Sequence, residues 1–368
     1  MDRRHPRRSP VRWLSIAGAF VAVAAVAAAV VIPTAADAQV NLPDKTPAQL
    51  IEFAAASDVT AMTGTIEQTS DLGLPDLSSL MGTSGKTGAS PSDAIDLLTG
   101  SHTANVYLDG DKSRLQVLDR LAERDVYVDR SAREGWFVDS ETQTATHYTA
   151  AGDTTAPQQQ PDTGQTPQQM LDDALAKLGE STDISVGIDG RVAGRDVYEL
   201  VLEPKDDAGL VGEVRFAIDG ETGAALAASI TAREADQPAF AVTFTDVSYT
   251  APDAATLTYT PAPGYTVENK TLPDHPASPG THDSGTDAAT QPIVHGQGWA
   301  AVVELPPPDT STSGATSEQQ AQLKSLTRPV AGGRVLETAL VTVYFADDGR
   351  VFAGAVSADH LARVAAGD

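Results

Sequence analysis

Apolar and polar residues alternate along several short segments of this chain, and this alternation restricts the possible folds more than any other feature of the sequence. The clearest segments are 196–203, 213–218 and 240–245. A period of two residues is typical of a β-strand with one buried face. The large apolar residues at the alternate positions are Tyr198, Leu200, Leu202, Val214, Phe216, Ile218, Phe240, Val242 and Phe244.

Turn signals between these segments indicate how the strands connect. Asp189-Gly190, Asp219-Gly220 and Thr222-Gly223 are dipeptides typical of tight turns. A parallel crossover needs about a dozen residues or more between two strands, and such closely spaced turns leave no room for one. The sequence therefore predicts a mainly β (α+β) fold, built on an antiparallel sheet with one apolar face.

Three short helices are expected beside this sheet. Thr46-Pro47-Ala48-Gln49 and Thr166-Pro167-Gln168-Gln169 each combine a Thr N-cap, a Pro in the first turn and a Gln that completes a capping box. Apolar residues follow both segments at helical spacing. Ser90-Pro91-Ser92-Asp93 is a weaker start, and its helix is expected to stop at Gly100.

The first 38 residues predict contact with a membrane. Residues 1–12 contain five arginines, and residues 13–32 form an almost uninterrupted apolar run of 20 residues. Ala36-Asp37-Ala38 fits a signal-peptidase site, whereas a run of this length also spans about 30 Å of hydrocarbon. Residues 1–38 are therefore a signal peptide or an N-terminal membrane anchor. Because basic residues stay inside, both interpretations place the rest of the chain outside the cytoplasm, either secreted or anchored at the outer side of the cytoplasmic membrane.

The exported part is strongly acidic and contains no cysteine. The whole chain has 25 Lys+Arg and 50 Asp+Glu, and without residues 1–38 it keeps 20 basic and 48 acidic side chains, a net charge of −28. Such a charge repels phosphate backbones, so we expect no nucleic-acid partner. The lack of cysteine excludes disulfides, thiolate nucleophiles and Cys-ligated metals.

The sequence motifs predict neither catalysis nor a cofactor or metal. Gly85-Lys86-Thr87 resembles the end of a phosphate-binding loop, but Leu80 stands where that loop needs a glycine. His275 and His282 lie in a stretch rich in Pro and Gly, which does not hold ligand geometry. The carboxylates are dispersed at turns and on polar faces, where solvation is expected rather than paired acid–base chemistry. We therefore expect a protein that is not an enzyme.

Composition divides the exported chain into three parts. Residues 39–268 contain the predicted sheet and helices. Residues 269–292, rich in Pro, Asp, Thr, Ser and Gly, are typical of a linker between domains. Residues 293–368 predict a small C-terminal α+β module, with a strand over 293–304, a helix over 317–326, and a hairpin of 336–345 with 351–356.

Several motifs follow one another within residues 40–268: the helix over 46–56, Thr63-Gly64-Thr65, the strand over 134–139, the hairpin over 192–204, and the run of 244–247 followed by 258–264. In this order they resemble the LolA-like family of outer-membrane lipoprotein carriers, as an exported homologue of the actinobacterial type. The resemblance implies a curved antiparallel half-barrel with helices covering its concave face, a fold shared with LppX and RseB.

This resemblance also implies a function. It suggests that the nine alternating residues line a cavity for acyl chains, although the same pattern is equally typical of a solid core. The chain would then be a non-catalytic carrier or holder of lipid or lipoprotein acyl chains at the cell envelope, with a lipid or an acylated protein as its partner. The alternative is an RseB-like envelope-stress or sporulation-type regulator, which senses a lipid and contacts an envelope membrane protein through its C-terminal module. A structural envelope protein with a filled core is the third hypothesis.

The signal-peptide interpretation predicts a defined N-terminus. N-terminal sequencing of the secreted and membrane fractions should give a chain that begins at Gln39, because cleavage follows Ala38. An intact 13–32 segment in washed membranes would establish the anchor instead.

Overall fold

The computed structural model describes residues 40, 42–73, 100–119, 122–150, 166–177, 181–272, 292–305 and 326–367. Within these residues the chain forms a large sheet, a small sheet and three helices. The segment expected to contact a membrane, the helix expected after Ser90 and nearly all of the helix expected over 317–326 lie outside the described residues.

Most of the described residues belong to strands. The large sheet contains β1 (Ala61–Ser70), β2 (His102–Asp109), β3 (Lys112–Leu118), β4 (Glu123–Asp129), β5 (Glu134–Asp139), β6 (Thr144–Ala150), β7 (Thr182–Val186), β8 (Gly190–Val192), β9 (Arg195–Pro204), β10 (Val211–Asp219), β11 (Ala225–Ala232), β12 (Pro238–Ser248) and β13 (Thr266–Leu272). The small sheet contains β14 (Ile293–His295), β15 (Val302–Leu305), β16 (Arg328–Val330), β17 (Gly333–Glu337), β18 (Thr342–Ala346) and β19 (Val351–Gly354). The helices are α1 (Pro47–Ala55), α2 (Pro167–Lys177) and α3 (Ala358–Ala366), with 3₁₀ turns at Ala254–Leu257 and Gly298–Ala300.

The large sheet is open and almost entirely antiparallel. Its strands lie in the order β13-β6-β5-β4-β3-β2-β1-β12-β11-β10-β9-β7, and β8 also pairs with β9. The pairing of β13 with β6 is parallel. Register shifts, such as the one between Thr65 and Ile66 on β1, bend the strands. The expected mainly β fold with an open antiparallel sheet is confirmed.

The strand register places alternate residues on one face, which we call the inner face. Val214 lies opposite Leu202, and Phe216 lies opposite Leu200. Phe216 also lies opposite Ala228 of β11, which in turn lies opposite Val242 of β12. The predicted alternation therefore gives the correct face for each of the three strands.

Two helices pack against the core of this sheet, and both begin where the sequence predicts. The Thr46 hydroxyl accepts from the Gln49 amide and the Gln49 side chain accepts from the Thr46 amide, which completes a capping box. The same pair of hydrogen bonds joins Thr166 and Gln169 at the start of α2. Helix α1 packs against β7 and β9, and α2 packs against β11.

Helix α1 lies over the inner face, because its Phe53 ring meets the edge of Tyr198 at a centroid distance of 6.3 Å. Leu50 of α1 and Leu171 of α2 are fully buried in the same apolar cluster as the inner-face strands. The Gln168 side-chain oxygen also accepts from the Ala225 amide at 2.8 Å, which ties α2 to the start of β11. Helices therefore cover part of the apolar face, as expected.

The C-terminal module differs from its prediction in two strands. Residues 293–304 form two antiparallel strands, β14 and β15, instead of one. The chain turns between them at Gly296 and Gly298, which have φ of +78° and +64°, a conformation that glycine adopts without strain. Residues 336–345 likewise belong to two strands, β17 and β18, because the chain turns at 338–341.

Helix α3 packs on the small sheet and was not predicted. Its N-cap, Ser357, accepts from the His360 amide, and Gly367 ends the helix in the left-handed conformation. Leu361 of α3 lies in one core with Val335 and Phe352 of the small sheet. The large sheet continues to Leu272, four residues into the segment 269–292 that the sequence assigns to the linker.

After β12 the chain crosses the outer face of the large sheet before it forms β13. Tyr259 packs against Tyr127 of β4 and Trp136 of β5, with ring centroids 5.4 Å and 5.2 Å apart. This crossing brings β13 beside β6. A strand joined by a hairpin runs antiparallel to its neighbour, whereas a strand reached by a crossover connection can run parallel to it. The crossing therefore explains why β13 and β6 are parallel.

The crossing segment lies over a charge pair. Asp125, only 3% exposed, accepts from the Arg114 guanidinium at 2.8 Å. Burial raises the pKa of Asp125 to about 6, although Arg114 acts in the opposite direction and Glu123 adds to the rise. The folded protein therefore binds a proton at Asp125 more tightly than the unfolded chain does.

This raised pKa predicts how stability depends on pH. The Asp125 carboxyl takes up a proton on folding between its ordinary pKa of 3.8 and about 6, so its contribution to stability falls as pH rises through that window. When the pH is lowered from about 7.5 to about 5, the melting temperature of the wild type should therefore rise relative to that of the Asp125→Asn variant.

Asp129 on the same strand supplies the control. Hydrogen bonds from Ser131, the Ala132 amide and Lys112 lower the pKa of Asp129 to about 2. Both its folded and its unfolded pKa lie below the window tested, so the effect of Asp129→Asn should not change between the two pH values. A pH-independent effect of Asp125→Asn as well would contradict the raised pKa.

Candidate functional site

The inner face of the large sheet is the candidate site, and the fold brings all nine predicted residues together on it. Each is at most 7% exposed, and all belong to one apolar cluster. Phe216, Phe244, Leu200, Leu202 and Ile218 are among the largest fully buried side chains. Their role as the lining of an acyl-chain cavity stays a prediction.

The inner face extends further than the sequence predicted. Phe244 lies opposite Ile66 of β1, Ile66 lies opposite Ala104 of β2, and Ala104 lies opposite Val117 of β3. All of them are buried in the same cluster. The signal for these strands is the same alternation, but smaller residues and interspersed polar residues make it weaker. The apolar face therefore crosses β9, β10, β11, β12, β1, β2 and β3 without interruption.

Small residues allow close packing in the middle of this face. A Cβ atom at Gly64 would lie 2.6 Å from the Asp246 carbonyl oxygen and 2.7 Å from the Phe244 ring. No other residue fits between β1 and that ring without moving the backbone of β12. Gly64, in the motif Thr63-Gly64-Thr65, is thus a packing requirement of the candidate site.

Charged residues border the inner face at the end where β1 finishes and β2 begins. His102 lies opposite Gln68 in the register, and Arg124 lies opposite Val117, so both are at inner-face positions. Asp119 accepts from Arg124 at 2.9 Å and lies 3.4 Å from His102. We call Gln68, His102, Asp119 and Arg124 the polar rim.

Asp119 of the polar rim stays ionised in the folded protein. Burial alone would raise the pKa of Asp119, but the hydrogen bonds from His102 and Arg124 outweigh it and hold that pKa below its ordinary value. The His102 side chain is only 12% exposed and faces the Asp119 carboxylate in the turn after β3, the strand beside its own.

The other end of the inner face meets the N-terminal segment. The Tyr198 hydroxyl donates to the Pro43 carbonyl oxygen at 2.8 Å. The Lys45 ammonium lies 4.6 Å from the centroid of the Phe53 ring and 5.4 Å from that of Tyr198. A surface cavity of about 290 Å³ opens here, lined by Asp44, Lys45, Gln49, Glu52, Phe53 and Ala56. Its charged lining does not suit an acyl chain.

Two further observations concern the described part of the chain. In that part, no three His, Asp or Glu residues lie close enough to hold a metal ion together. No helix there has both the length and the hydropathy needed to cross a membrane.

The sequence of this chain matches no known protein family and no curated protein. Among solved structures, the crystal structure of MucB in complex with MucA(peri) matches 87% of this chain and 97% of its own, with 16% identity and a TM-score of 0.45. The Pseudomonas aeruginosa MucA/MucB complex matches 86% and 94%, with 17% identity and a TM-score of 0.42. A LolA superfamily protein from Nitrosomonas europaea matches 59% and 99%, with 8% identity and a TM-score of 0.23. Similarity at this level assigns the chain to no family.

Proposed function

We propose that this chain binds acyl chains of a lipid or lipoprotein on its inner face, outside the cytoplasm, and acts as a non-catalytic carrier or holder. The observation that carries the proposal is the continuous apolar face of an open sheet, from β9 to β3, over which separate elements are packed. A sheet that is not closed on itself can expose that face when a covering element moves.

The energetics of an acyl chain fit such a face. Transfer of a chain of about 16 carbons from water, at ~0.8 kcal/mol per methylene, is worth roughly 13 kcal/mol, so a carrier in water must enclose nearly the whole chain. The inner face offers large side chains from three strands and the small ones of Ala225 and Ala228 on β11. The polar rim would meet the head group at the border of this surface.

The buried carboxylates support a non-catalytic role, because each has structural partners. Asp219 accepts from Arg195, from the Tyr249 hydroxyl at 3.0 Å and from two amides of its own turn. Glu199 pairs with Arg215 at 2.8 Å on the outer face. These pairs hold turns and strands in place, and none faces the apolar surface.

The second candidate function is regulation through a membrane-protein partner. The observation that favours it is β14, an edge strand of the small sheet whose Ile293 and Val294 are 55% and 62% exposed. Exposed apolar residues on an unpaired edge are typical of a surface that binds another chain. A pull-down that recovers a membrane protein with the wild type, and loses it with Val294→Lys, would favour this function over transport.

The carrier function predicts that lipid is bound at the inner face. Mass spectrometry of the exported wild-type protein should detect co-purified lipid, and Phe216→Gln should lose it. The matched control is Thr243→Gln, which places the same amide on the opposite face of the sheet beside Val242 and should keep the lipid.

Thermal melts of the same variants distinguish a cavity from a solid core. In a cavity the Phe216→Gln amide keeps water and the stability cost is modest, whereas in a filled core it is buried without a partner and costs about 1–3 kcal/mol in addition to the lost packing. A strong loss of melting temperature together with a wild type free of lipid would refute the carrier and favour the structural protein.

A further inference from the structure

The small sheet places one of its own side chains in the core of the large sheet. Leu340 lies in the turn 338–341 between β17 and β18 and is 0% exposed. It belongs to the same apolar cluster as Leu202 and Phe240 of the inner face, and not to the core of its own sheet. Part of the surface that the proposed function assigns to acyl chains is therefore occupied by the C-terminal module.

Hydrogen bonds within the turn 338–341 fix the conformation of the segment that carries Leu340. The Thr338 hydroxyl accepts from the amides of Leu340 and Val341, at 3.3 Å and 2.9 Å, and donates to the Val341 carbonyl oxygen at 2.9 Å. The Ala339 amide donates to the Leu72 carbonyl oxygen at 2.9 Å, just beyond the end of β1. Leu340 thus enters at the end of the inner face that the polar rim borders.

A second set of contacts docks the small sheet at this end of the large sheet. The Leu210 amide donates to the Ala355 carbonyl oxygen at 2.8 Å, and Gly209 forms an antiparallel bridge with Val356. The Trp299 indole donates to the Thr182 hydroxyl at 2.9 Å. Gly209, Thr182 and Val356 are buried, so separation of the sheets would expose these hydrogen bonds to water, which replaces them.

We propose that Leu340 occupies the end of the acyl-chain site and that a bound acyl chain displaces it. Loading of the large sheet and docking of the small sheet then compete for one apolar surface. The inference rests on the proposed function and adds a regulatory role for the C-terminal module. An acyl chain can replace Leu340 because it supplies the apolar contacts that the leucine gives up, whereas water cannot.

The competition also gives the small sheet a means of signalling. When Leu340 leaves, the turn 338–341 and the bridge at Gly209 lose their partners together, because Thr342, next to the turn, pairs with Gly354, two residues before Val356. Lipid binding at the inner face would thereby free the module to meet another molecule. The lipid and that second molecule would each strengthen the binding of the other by the same factor, because both favour the undocked module.

Because the chain has no native cysteine, an engineered disulfide can hold the small sheet in its docked position reversibly. Strands paired across an antiparallel bridge place their Cα atoms about 4.5–5.5 Å apart, within the range that a disulfide spans. A Cβ atom at Gly209 would lie 3.4 Å from the Ala355 carbonyl oxygen, an ordinary contact, so the position accepts a side chain. The double variant Gly209→Cys with Val356→Cys should hold the small sheet in place when oxidised and release it when reduced.

Binding of palmitate to the exported chain is the measurement. The reduced double variant should bind like the wild type, and the oxidised form at least about tenfold more weakly. Adding Leu340→Ala to the oxidised form should restore palmitate binding, because the module stays docked but no longer places a leucine side chain in the acyl-chain site. The single variant Val356→Cys, which cannot form the disulfide, should not respond to oxidation.

The outcomes separate this inference from the proposed function. Equal palmitate binding by the oxidised and reduced forms would overturn the inference alone. A failure of Leu340→Ala to restore palmitate binding in the oxidised double variant would do the same. No palmitate bound by any form, with no lipid co-purified, would overturn both. Circular dichroism melts of each variant verify that the compared proteins are folded.

Discussion

The pairing of β1 with β12 is the interaction on which the rest of the large sheet depends. It joins a run of hairpins that ends at β6 to a second run that begins at β7, and these strands are far apart in sequence, since Thr65 and Thr245 meet across 180 residues. Without this pairing each run would end in an edge strand and the apolar face would be divided in two. Because the loop between the partners is so long, the pairing forms at a high entropic cost and must be stabilised by what packs across it.

The packing at this junction explains why the inner face is continuous. Gly64 lets the Phe244 ring lie directly against β1, and Ile66 beside it continues the apolar surface onto β2. Charges are confined to the outer face, the turns and the polar rim. The same sequence that carries a net charge of −28 after its first 38 residues can thus keep one broad surface free of charge.

Much of this arrangement was predictable, and the errors have identifiable causes. The face of β9, β10 and β12 follows directly from the two-residue period, and the capping boxes at Thr46 and Thr166 fix the starts of α1 and α2. At 336–345 apolar residues continue through the turn, so that two short strands have the pattern of one long strand. At 293–304 the turn contains Gly296 and Gly298, which are themselves turn signals in the sequence.

Other features depend on contacts between distant residues. The parallel pairing of β13 with β6 is set by a crossing over the outer face, and the polar rim is assembled from β1, β2, β4 and the turn after β3. No periodicity reports such contacts. Helix α3 is different, because its Ser357 and Gly367 caps stand in the sequence and were overlooked.

Whether the inner face is a solid core or a ligand-binding surface depends on how it is covered. A core formed within one continuous sheet excludes ligands, because its covering elements cannot leave without unfolding the domain. Here the cover is assembled from pieces with separate attachments: α1 through Tyr198, α2 through Ala225, and the turn with Leu340 through Leu72. Of these, the turn belongs to a second sheet with a core of its own. The turn is therefore the part of the cover that can open at the lowest cost in stability.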